Sequence, residues 1–214
     1  MSIKRKPDPA ATRFKGSTFA DLDKAIDACR ACPLWERATQ GVPGEGSPKA
    51  RVMLVGEQPG DQEDQAGKPF VGPAGRVLDA ALEKAGVDRA DVYVTNAVKH
   101  FSWTPRGKRR IHKTPLQSEV AACLDWLEAE VKLLHPHVIV CLGATAAKAL
   151  LGRNFRVSVE RGRLIDGEFA PYMLATLHPS AILRMTDDAE REKAFDGLVA
   201  DLKQIRVALK REVR

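Results

Sequence analysis

Four short apolar runs recur along the chain, and each is followed by glycine or polar residues. They cover 51–55, 92–95, 138–142 and 172–175, and the segment 163–165 has the composition of an edge strand. Runs of this length predict buried strands. The segments between them carry apolar residues at spacings of three and four, which is the period of a helix. The alternation predicts an α/β fold, a three-layer α/β/α sandwich around a mostly parallel, four-stranded central sheet.

Local start and stop signals define the predicted helices. One helix begins at Ser17 or Thr18 and runs towards Cys29, and a later helix ends at Gly86. Further helices are predicted from Thr114 onward, with Pro115 at the first helical position and Gln117 closing a capping box, through 147–151, and over about 190–210. The segments 62–68 and 101–113 are predicted to be loops.

Polar residues are concentrated where the strands end. The segments concerned are GEQPGD at 56–61, NAVKH at 96–100, LGAT at 142–145 and LHPS at 177–180. Right-handed crossovers bring such segments to one edge of the sheet, where open parallel sheets bind ligands. The sequence therefore predicts a site at that edge, with Glu57, Gln58 and Asp61 presented from the first turn. The alternative for this turn alone is an ordinary connection from strand to loop.

Length and composition limit the class of protein. A chain of 214 residues is long enough for one domain, predicted at 17–214, after a basic tail at 1–16 that is predicted to be disordered. No run of eighteen apolar residues occurs, and the amino terminus lacks the apolar segment of a secretory signal, so we expect a cytoplasmic protein without a membrane span. No coiled-coil heptad pattern occurs, and a monomer is expected.

Basic charge indicates a polyanionic partner. The net charge is +6 and the pI about 9.2, which weakly favours DNA or RNA, although basic residues scattered without function would give the same total. The dense cluster Lys108-Arg109-Arg110 is more informative. Considered alone, it is typical of an exposed basic loop that only grips phosphate.

The four cysteines favour ligation over disulfides in a cytoplasmic chain. Cys29-x-x-Cys32 is compatible with half of a zinc or cluster site, with a redox pair, or with chance. The absence of a second CxxC nearby argues against a zinc ribbon. Cys141 lies within an apolar strand and is predicted to be a small buried residue.

Motifs of other nucleotide-directed proteins are missing. Neither GxxxxGK[ST] nor GxGxxG occurs, and no HxE is paired with PCxxC. By contrast, the ordered segments GEQPG, KPFVGPAGR, VTNAVKH, LGATAAKALL and HPS resemble the uracil-DNA glycosylase superfamily in its iron–sulfur (family 4) branch, over roughly residues 25–205. The loop KRRIH, residues 108–112, resembles that of UdgX-type members, which excise uracil and remain covalently attached to the DNA through the loop histidine.

The resemblance implies a [4Fe–4S] cluster. Its ligands would be Cys29, Cys32, His100 and Cys123, with His100 standing where family 4 usually has a cysteine; histidine can replace cysteine on iron. Such a cluster would be structural and would tie the amino-terminal helix to the DNA-facing region.

The resemblance also implies roles at the uracil site. Phe70 would stack on the flipped base, Asn96 would bind uracil O4 and N3–H, and His178 would donate a hydrogen bond to O2. His112 would attack C1′ in place of water. Glu57 would orient His112 or the sugar, and Gln58 and Asp61 would complete the site. Gly56 and Gly60 would lie at the substrate. The DNA backbone would be contacted by Lys108, Arg109 and Arg110, whose charges would also disfavour an imidazolium at His112.

Three functions remain open at this point. The first is single-turnover excision of uracil from single-stranded or duplex DNA with covalent capture through His112. The second is a conventional family 4 enzyme that turns over repeatedly with water as the nucleophile. The third is a non-catalytic iron–sulfur protein that binds DNA or senses damage.

Overall fold

The computed structural model describes residues 14–211, so the predicted tail at 1–16 lies outside the described residues except for its last three. The strands are β1 (Val52–Gly56), β2 (Val92–Asn96), β3 (Trp103–Arg106), β4 (Arg109–His112), β5 (Val138–Leu142), β6 (Ile165–Asp166) and β7 (Tyr172–Thr176). The α-helices are α1 (Phe19–Asp27), α2 (Asp61–Ala66), α3 (Pro73–Ala85), α4 (Gln117–Leu134), α5 (Ala144–Leu150), α6 (Val157–Glu160), α7 (Pro179–Leu183) and α8 (Asp188–Leu209).

The central sheet has the strand order β2-β1-β5-β7-β6. The first four strands are parallel, and β6 pairs antiparallel with β7. The sheet therefore has five strands instead of the four predicted, because the segment near 163–165 does form an edge strand, at Ile165–Asp166. In the β1–β2 register Gly56 lies opposite Asn96, so the ends of these two strands meet at the predicted edge.

Both faces of the sheet are covered, which explains the continuous apolar runs. Val52 and Leu54 of β1 pack into one apolar cluster with residues of α3 and α8, whereas Met53 and Val55 pack into the opposite cluster with residues of α4 and α5. Cys141 belongs to the second cluster, and complete burial raises the pKa of its thiol to about 12. Its predicted role as a small buried residue is confirmed.

A third apolar cluster joins the amino-terminal helix to the body of the protein. Leu22 and Ile26 of α1 pack with Val120 and Trp126 of α4. Helix α1 begins as predicted, because Thr18 is its N-cap and accepts a hydrogen bond from the amide of Asp21 at 3.1 Å.

Three local predictions were wrong. The segment 101–113 contains the hairpin β3–β4, whose two-residue turn has Gly107 at a φ of 59°. The polar segment after the first turn forms α2 with Gly67 as its left-handed end. Helix α4 begins at Gln117, two residues later than predicted, because the side chain of Glu119 accepts the amide of Leu116 and closes the first turn there.

Among residues 14–211, no helix combines the length and the apolar composition that a membrane crossing requires.

Candidate functional site

The strand-end segments converge on a cavity of about 790 Å³ at the carboxyl edge of the sheet. This volume falls in the range of small-molecule pockets. Seven predicted site residues line it, namely Glu57, Gln58, Gly60, Phe70, Asn96, His112 and His178. Gly56 and Asp61 do not line the cavity and act on it through neighbouring residues, as described below.

Gly56 allows two predicted uracil contacts to approach each other. A Cβ atom at this position would lie 2.4 Å from Oδ1 of Asn96 and 2.7 Å from Cζ of Phe70. Atoms this close would have to move, so any larger residue would push the amide and the ring apart. Glycine is therefore required at the end of β1 by the packing of the cavity wall.

Phe70 is held in an unusual backbone conformation. Its φ is 58°, in the left-handed region that residues other than glycine rarely adopt. Gly75 makes room for this turn, since a Cβ there would lie 1.7 Å from the carbonyl oxygen of Phe70. The ring of Phe70 lies 6.1 Å from that of His178 with an interplanar angle of 27°. A strained, well-supported aromatic ring in a cavity is typical of a functional site.

Asn96 is 3% exposed and ends β2 at the cavity. Its backbone carbonyl accepts a hydrogen bond from Nζ of Lys99 at 2.9 Å. Within residues 14–211 its side-chain amide has no hydrogen-bond partner. One donor and one acceptor are thus available to a ligand in the cavity.

His178 has a defined tautomer. Its Nδ1 lies 3.1 Å from the amide nitrogen of Ser180 and 2.8 Å from the hydroxyl of the same residue. Because a backbone amide can only donate, Nδ1 is the acceptor and the neutral ring carries its proton on Nε2. Burial, Arg184 and His112 lower the pKa of His178 to about 4. At neutral pH this ring is an uncharged donor.

His112 lies at the last position of β4, on the cavity, with its side chain about half exposed. Its Nε2 is 3.4 Å from Oε1 of Glu57, whose other oxygen accepts a hydrogen bond from the hydroxyl of Thr145. Desolvation lowers the pKa of His112, Glu57 raises it and Arg184 lowers it. The cation that disfavours the imidazolium is therefore Arg184, whereas the sequence had suggested the basic residues of the hairpin.

The base of the hairpin is fastened by Gln58. Its Nε2 donates to the carbonyl oxygens of Ser102 and Lys113, both at 3.1 Å, and its Oε1 accepts the amide of Ser102 at 2.9 Å. All three bonds are made to backbone atoms of Ser102, just before β3, and Lys113, just after β4. Gln58 thus positions the hairpin and with it His112.

A second fastening involves Arg110, Asp61 and Asp64. Nε of Arg110 lies 2.5 Å from Oδ1 of Asp61, and Nη1 lies 2.5 Å from Oδ2 of the fully buried Asp64. Asp64 also accepts the amide and the hydroxyl of Thr39. Arg110 therefore points into the protein, while Lys108 and Arg109 are exposed. Asp64 was not predicted as a site residue, because the segment that carries it was predicted to be a loop.

Glu63 was also missed by the sequence interpretation. Its carboxylate accepts the amide of Gly60 at 3.1 Å and that of Gly72 at 2.8 Å, which joins the first turn to the turn that carries Phe70. The only sequence signal was its position three residues after a helix N-cap.

The cysteines predicted as ligands lie near one another, where the segment after α1 meets helix α4. Cys123 and Cys32 share a hydrogen bond, which lowers the pKa of Cys32 to about 7, and the indole of Trp126 donates to Sγ of Cys29 at 3.2 Å. His100 is 2% exposed, and its Nδ1 has no hydrogen-bond partner among the described residues. In residues 14–211 no three His, Cys, Asp or Glu side chains are grouped so as to hold a single metal ion.

The fold and the site define an α/β protein with an aromatic, amide-bearing pocket at the carboxyl edge of its sheet and a basic hairpin beside it. The sequence profile described as "Uracil DNA glycosylase superfamily" matches residues 43–203. The chain belongs to this superfamily.

Relatives of known type share most of their length with this chain. A type-4 uracil-DNA glycosylase of Thermotoga maritima is 38% identical over 184 residues, covering 81% of this chain and 92% of the relative. A type-4 enzyme of Pyrobaculum aerophilum is 42% identical, covering 76% and 83% respectively. A type-5 uracil-DNA glycosylase of Thermus thermophilus is 34% identical, covering 82% and 93%. The similarity to type-4 enzymes agrees with the resemblance inferred from the motifs.

Proposed function

We propose that the protein excises uracil from DNA and is then captured on the abasic sugar through His112. The observation that carries the proposal is the position of His112, whose imidazole shares one cavity with Phe70, Asn96 and His178 and faces Glu57 at 3.4 Å. Membership of the superfamily, together with the similarity to type-4 uracil-DNA glycosylases, supports the excision step.

Recognition would begin with extrusion of the base from the strand, at a cost of a few kcal/mol. The ring of Phe70 offers a stacking surface, and the unpartnered amide of Asn96 offers an acceptor for N3–H and a donor for O4. Cytosine presents the opposite donor and acceptor pattern at these positions. The pocket would therefore select uracil by its hydrogen-bonding edge.

Cleavage of the glycosidic bond sends its electron pair to the base and leaves a cationic sugar. Nε2–H of His178 would donate to O2 as negative charge develops on uracil. The ring is prepared for this role, because Ser180 occupies Nδ1 and burial keeps the imidazole neutral. The carboxylate of Glu57 would stabilise positive charge at the sugar and orient His112.

Capture follows if imidazole, and not water, reaches C1′. The ring nitrogen of His112 that carries no proton forms the new bond to C1′, and the proton of the other nitrogen is lost to Glu57 or solvent. The lowered pKa of His112 keeps this nitrogen free for attack. An N-alkylated imidazole is a poor leaving group, so each protein molecule would react once.

We also propose that the protein holds a [4Fe–4S] cluster, with Cys29, Cys32, His100 and Cys123 as its ligands. The proximity of the thiols and the unpartnered Nδ1 of His100 fit this ligand set. The ligands of a cluster are distributed over four irons and need not converge on one point. When bound, the cluster would supply a covalent tie between the segment after α1, the end of β2 and α4; excision itself requires no electron transfer.

The exposed Lys108 and Arg109 would contact the phosphate backbone of single-stranded or duplex DNA. We propose that the protein acts as a monomer in the cytoplasm.

A conventional enzyme that turns over repeatedly is the second candidate, supported by the type-4 relatives. A binding protein without catalysis is the third, and the unpartnered amide and the oriented imidazole in the cavity argue against it.

A denaturing gel separates these candidates. The protein is mixed with a labelled uracil-containing single-stranded oligonucleotide, heated in detergent, and compared with His112→Ala and with His135→Asn, a control at an exposed histidine that does not line the cavity. Capture predicts a shifted band for the wild type and the control only. Free abasic product with repeated turnover would establish the conventional enzyme, and an unaltered base would leave the binding protein. Equal cross-linking by His112→Ala would disprove the assigned nucleophile.

A further inference from the structure

Lys99 is a lysine whose side chain is completely buried, and so is its partner Glu130. Nζ of Lys99 lies 2.7 Å from Oε2 of Glu130, 2.7 Å from Oγ1 of Thr95 and 2.9 Å from the carbonyl oxygen of Asn96. All three ammonium protons thus have an acceptor. Burying two charges is costly, and the attraction between them offsets that cost only where further hydrogen bonds satisfy both groups.

Glu130 completes the arrangement from α4. It accepts the hydroxyl of Thr95 at 2.9 Å and the amide of Gly44 at 3.0 Å, and the hydroxyl of Tyr93 lies 3.5 Å away. The network is therefore satisfied on the acid side as well. It joins helix α4 to Tyr93 and Thr95 of β2 and to Lys99, three residues after the end of that strand.

The position of the carbonyl of Asn96 explains why an ammonium is needed there. Strand β2 is the edge strand of the sheet, and on its outer side the only described bridge joins Val94 to Glu45. No neighbouring strand therefore donates a hydrogen bond to the carbonyl oxygen at the end of β2. Nζ of Lys99 takes that place and fixes the peptide plane from which the amide side chain of Asn96 projects.

We infer that the Lys99–Glu130 ion pair positions Asn96 and thereby sets the orientation of the amide that reads the base. Lys99 makes no contact with the cavity itself, so it acts only through Asn96. The inference rests on the proposed reading of uracil by Asn96. The cost of a misplaced contact of this kind reaches about a hundredfold in rate for a displacement near 1 Å.

The variant for the test replaces both charges at once. Removing Lys99 alone would leave the carboxylate of Glu130 buried and unpaired, which is strongly destabilising. In Lys99→Met/Glu130→Gln the glutamine still accepts the amide of Gly44 and can donate to Thr95, so only the bond to the carbonyl of Asn96 is lost without replacement. Unchanged thermal unfolding and visible absorbance would establish that the fold is retained.

A double-mutant cycle with Asn96→Ala then measures the coupling. Single-turnover excision rates at saturating DNA are compared for the wild type, the pair variant, Asn96→Ala and the triple variant. We expect the pair variant to lose about tenfold or more in rate with little change in DNA affinity, and to cost nothing further in the Asn96→Ala background. A wild-type rate in the pair variant, or full additivity in the triple variant, would overturn the inference. Absence of excision by the wild type would instead count against the proposed function.

A measurement independent of activity is available because the chain has two asparagines, Asn96 and Asn154. With ¹⁵N-asparagine labelling, two side-chain amide pairs appear, and Asn96→Ala assigns them. We expect the amide of Asn96 to shift or broaden in the pair variant while that of Asn154 stays unchanged. An unmoved Asn96 amide contradicts the positioning role whether or not the protein excises uracil.

Discussion

Nη1 of Arg110 and Oδ2 of Asp64 lie 2.5 Å apart, and this pair anchors the basic hairpin from inside the protein. The pair is extended by Asp61 on one side and by the rings of Phe101 and Trp103, whose centroids lie 5.4 Å and 5.6 Å from the guanidinium carbon. Arg110, the last residue of the basic run, is thus a structural element. Its neighbours Lys108 and Arg109 remain free to face a polyanion.

Replacing Arg110 by Gln should weaken both the fold and covalent capture. Asp64, which is fully buried, would keep its charge without the guanidinium, and loss of one partner of a buried pair costs about 3–5 kcal/mol. The hairpin would loosen and His112 would lose its fixed approach to the sugar. Urea unfolding measures the first effect, and the rate of adduct formation on a denaturing gel measures the second.

Arg109→Gln is the matched control, since its side chain is exposed one residue away. It should change the free energy of unfolding by less than about 0.5 kcal/mol. Equal destabilisation by the two variants would show that the Arg110–Asp64 pair contributes no more than a surface charge.

Gly56→Ala should reduce excision more than stability. The added methyl group would meet Oδ1 of Asn96 and Cζ of Phe70, both of which face the cavity and can be displaced into it. The wall would then lose the spacing between the amide and the ring. Single-turnover excision assays should show a loss of about tenfold or more in rate, with a small change in thermal unfolding.

Gly152→Ala provides a comparison, because no atom lies within 4 Å of a Cβ at that glycine, although its φ of 106° adds backbone strain. This variant should be destabilised without a specific loss of excision. If Gly56→Ala retains the wild-type rate, the close approach at the end of β1 has no bearing on the substrate.

The fold was largely predictable because strands that are buried on both faces of the sheet appear in the sequence as continuous apolar runs. The strand at 138–142 was predicted with its observed bounds, and Gly86 ends α3 as predicted. The hairpin was not predictable from the local sequence pattern, because its strands are mostly exposed and lack the alternation of apolar and polar residues that indicates a half-buried strand. The helix α2 was missed for the same reason, since most of its residues are polar.

The sequence predicted where the site lies and which residues line the cavity. It did not predict most of the contacts that these residues make. The strand-end rule placed Glu57 and Gln58 at the correct edge, but the bonds of Gln58 to the backbone of Ser102 and Lys113 depend on where the hairpin folds back. Arg184 was missed because a single arginine in a helix end has no motif, and its effect on two imidazoles appears only in three dimensions.

Lys108 and Arg109 should contribute to affinity for DNA through salt-sensitive phosphate contacts. For Lys108→Gln or Arg109→Gln we expect weaker binding to all sequences and a reduction of about 1 in the slope of log affinity against log salt. Fluorescence anisotropy with a uracil-free oligonucleotide, titrated at several salt concentrations, measures this slope without catalysis. An unchanged slope in both variants would mean that the hairpin tip lies away from the DNA.

Covalent capture should continue at pH values below the ordinary pKa of histidine. His112 attacks as the neutral ring, and desolvation together with Arg184 lowers its pKa from 6.5 against the opposing effect of Glu57. As the pH falls, the rate should therefore decline only below 6.5, when His112 takes up a proton. His178, with a pKa of about 4, should stay neutral until still lower pH. In the unfolded chain both histidines bind protons near 6.5, so stability should also decrease as the pH falls from about 6.5 towards 4.

Arg184→Gln tests the cause of these shifts. Removing a cation that lowers the pKa of both His112 and His178 must raise both values, so the acid limb of the capture rate should move to higher pH. The measurement is the rate of adduct formation between pH 4 and 8 at constant ionic strength, compared with Arg191→Gln, an arginine on α8 that does not line the cavity. A limb that stays in place in Arg184→Gln, or moves equally in Arg191→Gln, would show that Arg184 does not set the protonation of the attacking imidazole.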